Sequence, residues 1–179
     1  MPHDNEDEFV PQATANEIWA GAAYDTLRET AKSYNRLITY KEIAQTVQST
    51  SGITTKQRLH YWIGPVLETV AAEASSRGEP PLTALCVHEN GTMGDSYLRA
   101  PKSVPHEDDV DVERLAAEHR LLCYREYATD LPDHRGFATL TPQVAQKRAR
   151  LRKSDPPNRP MCPIHHCEIS ATGLCGSCD

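Results

Sequence analysis

Cysteine and histidine residues crowd the C-terminal end of this sequence, in the segment MCPIHHCEISATGLCGSCD at 161–179. Four of the six cysteines and two of the eight histidines lie in the last eighteen positions. Thiolates and imidazoles are ligands that Zn²⁺ prefers, and a structural zinc takes four of them. Inside cells thiols stay reduced, so clustered cysteines there hold metal more often than they form disulfides. The segment therefore predicts a zinc site.

Two short turns in this segment have the spacing of zinc ligands. Cys175 and Cys178 form a C-x-x-C pair, and Cys162 with His165 forms a C-x-x-H pair of the same spacing. Each such turn supplies two ligands from one tight loop, and two turns complete a tetrahedron. We therefore expect these four residues to hold a structural zinc in a small zinc ribbon. Four protein ligands leave no open position for a substrate water, so the site is expected to stabilise structure rather than to catalyse.

The first half of this ligand set has an alternative. Cys162 could pair with Cys167 instead of His165, with four residues between them. In the favoured set, His166 and Cys167 remain as substitute ligands. A disulfide is a further alternative for these cysteines. Because the segment has few apolar residues of its own, we expect it to need the metal in order to fold.

Positive charge is concentrated in two zones, although the chain as a whole carries a net charge of −6. Residues 31–65 contain five basic side chains against one acidic, and residues 135–160 contain seven against one. Basic zones of this kind are where an anionic partner such as DNA would bind, with a solvated surface as the alternative. The candidate phosphate contacts in the second zone are Lys147, Arg148, Arg150, Arg152 and Lys153.

The first basic zone overlaps a helix that the apolar spacing predicts over residues 54–75. Pro65 predicts a kink or break within it, because proline removes a backbone hydrogen bond. The face opposite the apolar stripe is polar, and it carries cations for phosphates, a glutamine that can read adenine, and rings that can stack. We expect this face to contact DNA, with an ordinary exposed helix face as the alternative. Its residues are Lys56, Gln57, Arg58, His60, Tyr61 and Gly64.

The elements around that helix follow the order of a winged helix-turn-helix. A capping box at Thr14 and Glu17 predicts the start of a first helix, and a second box at Thr39 and Glu42 predicts a short helix to about Gln48. The stretch LTALCV, an Asn-Gly dipeptide and the stretch TMGDSYL predict a β-hairpin. In a winged helix the third helix enters the major groove and the hairpin flanks it.

We therefore expect a mostly α (α+β) fold with one β-hairpin. Gly78 is placed to end the third helix. A further amphipathic helix is expected in DVERLAAEHRLLCYREYA, with Leu115, His119 and Leu122 facing inward. The expected divisions are a disordered acidic arm at 1–12, a winged-helix-like domain at 13–99, a helical extension packed on it at 100–145, a basic linker at 146–160 and the zinc ribbon at 161–179.

The segments ITYKEIA, IGPVL and PPLTALCVHENGTMGDSY together resemble the DNA-binding domain of the alkyltransferase and alkyltransferase-like proteins over residues 37–97. The resemblance implies that Tyr40 presses on a phosphate beside a flipped nucleotide and that Gly64 is the helix glycine of that family. It also implies a match to the family's closing pattern at Gly91, Gly94 and Tyr97.

The sequence departs from that family at its reactive positions. Tyr61 stands where the family has an inserted arginine, and Thr83 and Ala84 stand where it has its nucleophilic cysteine and a histidine. Cys86 lies three positions further on and does not inherit the role. A reactive thiolate needs a neighbouring base, whereas Cys86 lies in an apolar strand candidate, so we expect it to be a packed core residue. Cys123 is expected in the core as well.

The whole chain, with its REYATDLP segment and its CP…TGLCGSC ending, also resembles a family of uncharacterised actinobacterial and phage-type proteins with a C-terminal zinc ribbon. That second resemblance implies no activity.

The function expected from the sequence is that of a non-enzymatic DNA-binding protein with a structural zinc. The alternatives are a zinc-dependent adaptor that binds a protein partner, and a DNA-modifying or repair enzyme of the alkyltransferase type. No apolar run is long enough to span a bilayer, and the acidic start MPHDNEDEFV is unlike a secretory signal. We expect a cytoplasmic protein that does not bind membranes.

Overall fold

The described residues form five helices and four very short strands, and the fold is mostly helical with a small β component. The computed structural model describes residues 1–104, 111–154, 161–166 and 169. The helices are α1 (Gln12–Ala31), α2 (Tyr40–Ser51), α3 (Ile63–Ser76), α4 (Val112–Tyr127) and α5 (Pro142–Ser154). The strands are β1 (Pro2–His3), β2 (Ile38–Thr39), β3 (Thr54–Thr55) and β4 (Cys86–Val87). Short 3₁₀ helices lie at Leu59–Tyr61, Leu82–Leu85 and Tyr97–Arg99.

The chain divides into two compact units, Met1–Ala145 and Gln146–Asp179. In the first unit α1 packs against α2, α3 and the Leu82–Leu85 turn, and α4 packs against that same turn and α1. In the described ranges no helix is both long enough and apolar enough to cross a membrane.

The core of the first unit is built around Trp19 of α1. Its side chain is completely buried, its ring centroid lies 4.5 Å from that of Trp62, and its indole N–H donates a hydrogen bond of 3.1 Å to the Ile53 carbonyl. A buried indole supplies a large apolar area, and its N–H needs a partner. Trp19 therefore joins α1 to the chain on both sides of the Thr54–Tyr61 stretch.

The capping box predicted for α2 is confirmed. The Thr39 hydroxyl oxygen accepts from the Glu42 N–H at 3.2 Å, and the Glu42 carboxylate accepts from the Thr39 N–H at 2.7 Å. The hydrogen bond from the Thr39 backbone, with one from its side chain, holds the pKa of Glu42 below its usual value. At the other end Gly52 adopts φ of 72° and closes the helix, which runs a turn beyond Gln48.

The first twelve residues do not form a disordered arm, so that prediction is wrong. β1 pairs antiparallel with β3, and Pro2 is completely buried. A turn at Asp4, whose carboxylate accepts from the N–H groups of Glu6 and Glu8 at 2.9 Å each, folds the arm back. Side-chain bonds of this kind make a turn from a polar segment that lacks hydrophobic periodicity.

Helix α1 begins earlier than its predicted capping box. It starts at Gln12 with Pro11 at the N-cap, and no side chain caps it. Pro11 has φ of −54°, and its carbonyl accepts from the Ala15 N–H at 3.0 Å. The fixed φ of proline favours a helix start, so Thr14 and Glu17 lie within the first turns instead of capping them.

The predicted helix over residues 54–75 is wrong in its first half. β3 and the Leu59–Tyr61 turn replace that half, and α3 begins at Ile63. Pro65 explains the break, because proline is tolerated in the first turn of a helix, where its missing N–H would have no partner. The predicted end is confirmed, since Gly78 adopts φ of 67° just beyond Ser76.

The predicted β-hairpin is also wrong. Residues 82–85 form a 3₁₀ turn, and β4 pairs parallel with β2 in the register Ile38 to Cys86 and Thr39 to Val87. The turn after β4 is closed by a 2.8 Å hydrogen bond from His88 N–H to the Thr92 carbonyl. Gly91 alone of the Asn-Gly pair has positive φ, whereas a type I′ turn needs it at both positions.

The further helix predicted after residue 110 is confirmed as α4. Leu115 and His119 are buried, whereas Leu122 is only half-buried. The basic stretch 146–153, predicted as a linker, instead lies on α5. Residues 155–160 of that linker, and most of the predicted zinc ribbon, lie outside the described residues.

The capping box can be tested by replacing Thr39 with alanine. We expect Thr39→Ala to lower the free energy of unfolding by about 1 kcal/mol, because the Glu42 N–H loses its acceptor. Urea unfolding followed by tryptophan fluorescence reports this change, since both tryptophans lie in the first unit. Ser49→Ala, at an exposed position of the same helix, serves as the control, and equal effects of the two substitutions would contradict the prediction.

Candidate functional site

An exposed basic and aromatic stretch joins β3 to α3, and we call it the Lys56–Tyr61 segment. Lys56, Arg58, His60 and Tyr61 are exposed, and Tyr61 keeps 66% of its surface accessible. The rings of His60 and Tyr61 lie 4.1 Å apart at 46°. The predicted contact residues are therefore accessible, but on a turn in front of a helix rather than on a helix face.

The Lys56–Tyr61 segment is held at both ends. On one side the Thr55 N–H donates to the Gln48 side chain at 2.8 Å. On the other side Trp62 is only 2% exposed and packs on Trp19. Within the segment the Tyr61 N–H donates to the Arg58 carbonyl at 3.0 Å. The exposed side chains are thus presented by an anchored backbone.

Gln57 does not share this exposure. Its side-chain nitrogen donates to the side-chain amide oxygen (Oε1) of Gln12 at 3.1 Å, and Gln57 is half-buried. The bond joins the segment to α1, so the amide is already engaged. The predicted use of Gln57 for reading adenine has no support in this geometry.

An open groove of about 860 Å³ adjoins the Lys56–Tyr61 segment at Leu59. The groove also takes in the first residues of α2 and the turn after β4. Its side chains include Tyr40 and His88, whose rings lie 4.7 Å apart, and the ion pair between Lys41 and Glu89 at 3.8 Å. Burial raises the pKa of Tyr40, so its hydroxyl is neutral at physiological pH.

The pairing of β2 with β4 brings Tyr40 and His88 together. Thr39 and Val87 are partners in that register. Tyr40 and His88, which follow them directly, therefore lie side by side in the groove. Sequence reasoning identified Tyr40 but missed His88 as its neighbour. Predicting this neighbour would have required the parallel pairing of β2 with β4, two segments nearly fifty residues apart, and no local sequence pattern indicates that pairing.

A cavity of about 40 Å³ shares Tyr40 with the groove and is lined in part by Tyr40, Gly64, Thr83 and Tyr97. These are positions that the alkyltransferase-like resemblance singled out. Gly94 belongs with them, because a Cβ at this residue would collide with the Tyr40 hydroxyl. Gly91 does not, since a Cβ there would lie 2.6 Å from the Thr141 hydroxyl.

The two cysteines outside the tail are core residues, as expected. Cys86 and Cys123 are completely buried, and burial raises the pKa of both thiols. His88 is exposed and its ring contacts that of Tyr40 at 39°, whereas Cys86 is completely buried, so His88 is not placed as a base for Cys86. A buried neutral thiol is a poor nucleophile. This geometry gives no support to alkyl transfer through Cys86.

The predicted basic contacts of the second zone lie on α5. Lys147, Arg150 and Arg152 are exposed, and Arg148 is half-buried. The helix sequence PQVAQKRARLRKS contains no acidic residue, so these cations are not offset within it. The side chain of Lys153 lies outside the described residues.

The first predicted zinc turn has suitable geometry. Cys162 Sγ lies 3.8 Å from His165 Nδ1, and the His166 N–H donates to the Cys162 carbonyl at 2.9 Å, closing a tight turn. Two ligands of a tetrahedral zinc, one thiolate and one imidazole, lie about 3.6 Å apart. His166 is exposed and has φ of 50°.

The rest of the predicted ligand set, Cys167, Cys175 and Cys178, lies outside the described residues. Among the residues that are described, no group of three or more metal-binding side chains occurs. Within the described residues, Cys162 and His165 are therefore the two predicted ligands whose relative geometry suits a shared metal.

Comparison with known proteins yields no matching family model, no matching curated sequence and no matching solved structure.

The burial of Cys86 leads to a test of its reactivity. We expect the native protein to leave Cys86 unmodified by iodoacetamide at pH 8, because the thiol is shielded and its pKa is raised. The same protein in guanidinium chloride should be alkylated fully, which provides the control. Peptide mass spectrometry measures both states. Alkylation of native Cys86 as fast as in the denatured chain, or its modification by alkylated DNA, would overturn this assignment.

Proposed function

We propose that this protein binds DNA without catalysing a reaction, and that the Lys56–Tyr61 segment makes the main contact. The observation that carries the proposal is the exposed His60 and Tyr61 ring pair, which follows the exposed cations Lys56 and Arg58 and is anchored by buried Trp62. Cations neutralise phosphates, and exposed rings stack on bases. Exposed cations next to exposed aromatic rings are typical of a nucleic-acid contact rather than of an ordinary solvated surface.

Anchoring favours binding because it reduces the entropy lost on association. The segment is tied to α1 through Gln57 and Gln12, and to α2 through Thr55 and Gln48. A contact surface whose backbone is already ordered does not need to be ordered by the ligand. The side chains that remain free to adjust are the four exposed ones.

The resemblance to alkyltransferase-like proteins is consistent with this role for the segment. Tyr61 stands where that family places a residue that inserts into DNA, and here it is an exposed aromatic ring. Apolar and aromatic side chains can wedge between base steps. Tyr40 lies in the adjoining groove, where the resemblance implies a phosphate contact. Contact would then come from the turn before α3, in a winged-helix-like module whose hairpin strands are not formed.

The absence of enzyme activity is proposed on two observations. Thr83, not a thiol, lines the small cavity beside Tyr40, and Cys86 is buried in β4. A threonine hydroxyl needs a neighbouring base to act as a nucleophile. Neither position offers the activated group that alkyl transfer requires.

A structural zinc and the basic helix complete the proposal. Cys162 and His165 would hold the metal with Cys175 and Cys178, and the metal would fix the fold of the C-terminal segment. The exposed cations of α5, Lys147, Arg150 and Arg152, would add phosphate contacts.

A protein partner is the second candidate function, and one observation favours it. Met161 and Ile164, on either side of Cys162, are 56% and 72% exposed. Apolar side chains on a metal-binding turn suit a protein interface, and zinc ribbons serve both purposes. Undetectable DNA binding at low ionic strength would favour this adaptor role over the first proposal.

The DNA proposal is tested by titration at several salt concentrations. We expect Lys56→Ala and Arg58→Ala each to weaken binding and to reduce the slope of log K against log salt by about 0.9 on duplex DNA. Tyr61→Ala should weaken binding to single strands by roughly 1–3 kcal/mol through lost stacking.

Arg114→Ala is the matched control, since it removes an exposed cation of α4 that pairs with Glu118. It should leave both affinity and slope nearly unchanged. Binding that does not depend on salt, or equal effects of Arg58→Ala and Arg114→Ala, would count against the proposed interface.

The zinc proposal is tested by metal analysis of the reduced, purified chain. We expect about one zinc per chain, lost on Cys162→Ser and on His165→Ala but retained in Cys167→Ser, because the two matched turns supply the four ligands. Atomic absorption gives the stoichiometry, and cobalt substitution gives a spectrum that reports thiolate ligands. Zinc that survives His165→Ala but not Cys167→Ser would reject this ligand set.

A further inference from the structure

A cationic side chain lies buried in the first unit, and no carboxylate of the described residues forms an ion pair with it. Arg120 of α4 is only 3% exposed. The described part of the chain has no acidic group within 4.0 Å of its guanidinium, and Glu113 acts on it only from further away. Burying a charge costs several kcal/mol unless it is paired, so proteins normally supply a counter-charge.

The hydrogen bonds of Arg120 are long and all go to uncharged acceptors. Nη1 donates to the Ala84 carbonyl at 3.4 Å and contacts the Met93 sulfur at 3.7 Å, and Nη2 donates to the Thr139 carbonyl at 3.3 Å. These contacts orient the guanidinium but do not neutralise it. Burial also lowers the pKa of Arg120.

The same arginine lines a cavity of about 280 Å³. The exposed residues Asn35 and Thr139 lie on its wall, while Arg120 and Thr141 are buried. None of the described residues that line it is acidic. The space is several times the roughly 30 Å³ that one water occupies, so a small ion fits beside the guanidinium.

The neutral groups of the cavity are compatible with an anion. Tyr124 donates its hydroxyl to the Arg36 carbonyl at 2.7 Å, and burial raises its pKa, so it adds no negative charge. The side-chain amide oxygen (Oδ1) of Asn35 accepts from the Thr139 hydroxyl at 3.2 Å. The two N–H donors of the same side-chain amide can then face a ligand.

We propose that this cavity binds a small oxyanion whose carboxylate or phosphate oxygens pair with the guanidinium of Arg120. A guanidinium offers parallel N–H donors that match two oxygens of such a group, and the bonds are charge-assisted. The Asn35 amide supplies further donors at the cavity wall. The site is separate from the Lys56–Tyr61 segment, so it does not depend on DNA binding.

The test is isothermal titration calorimetry of the full-length protein with sodium phosphate and, separately, with sodium acetate, at constant ionic strength set by chloride. We expect saturable binding of at least one of the two anions, and the one that binds identifies the ligand class. Arg120→Met should weaken that binding by about tenfold or more, because the charge-assisted pair is lost. Arg114→Met, which removes an exposed cation from the same helix, should not.

Leu140→Trp keeps Arg120 and fills the cavity, so it decides the question even if Arg120→Met fails to fold. Circular dichroism confirms that each variant retains its helices. Reduced binding in Leu140→Trp supports the site. Absence of saturable binding to the wild type, or binding to folded Leu140→Trp that matches the wild type, overturns the proposal.

Discussion

The contact between Trp19 and Trp62 determines much of the first unit. Trp19 is completely buried in α1, and its N–H bond to the Ile53 carbonyl holds the chain just before β3. Trp62 closes the other end of the same stretch, immediately before α3. Eight residues therefore separate two points that are both fixed to one helix. The Lys56–Tyr61 segment lies on the surface because its ends are tied to the core and its own side chains are mostly polar.

Several features set by local interactions were predictable from the sequence, although the Thr14–Glu17 box misplaced the start of α1, and those set by distant pairing were not. The Thr39 capping box and the terminating Gly78 need only residues within one helical turn, and both are present. The parallel pairing of β2 with β4 joins residues 38–39 to 86–87, and it replaces the hairpin that LTALCV and the Asn-Gly dipeptide suggested. Local turn preference is a weak guide when a strand finds its partner elsewhere in the chain.

The candidate site shows the same division. Lys56, Arg58, His60 and Tyr61 were identified correctly as exposed, although the helix on which they were placed is a turn. Pro65 indicated where the helix begins, because a proline is tolerated in the first turn of a helix and not in its middle. Gln57 could not be judged from the sequence, since its partner Gln12 is 45 residues away. His88 lies in the groove only because β2 pairs with β4.

Arg120 is the residue whose surroundings are least explained by folding alone. Within α4 its neighbours His119 and Cys123 are buried with ordinary partners or apolar contacts: Tyr97 bonds to His119 at 2.7 Å, and Cys123 belongs to the hydrophobic core. A methionine could fill the volume of Arg120 without the cost of burying a charge, and such replacements are often neutral or stabilising. Packing alone does not account for a guanidinium held by three long bonds to neutral acceptors beside a cavity whose described lining residues include no acid, and the proposed oxyanion would supply the counter-charge.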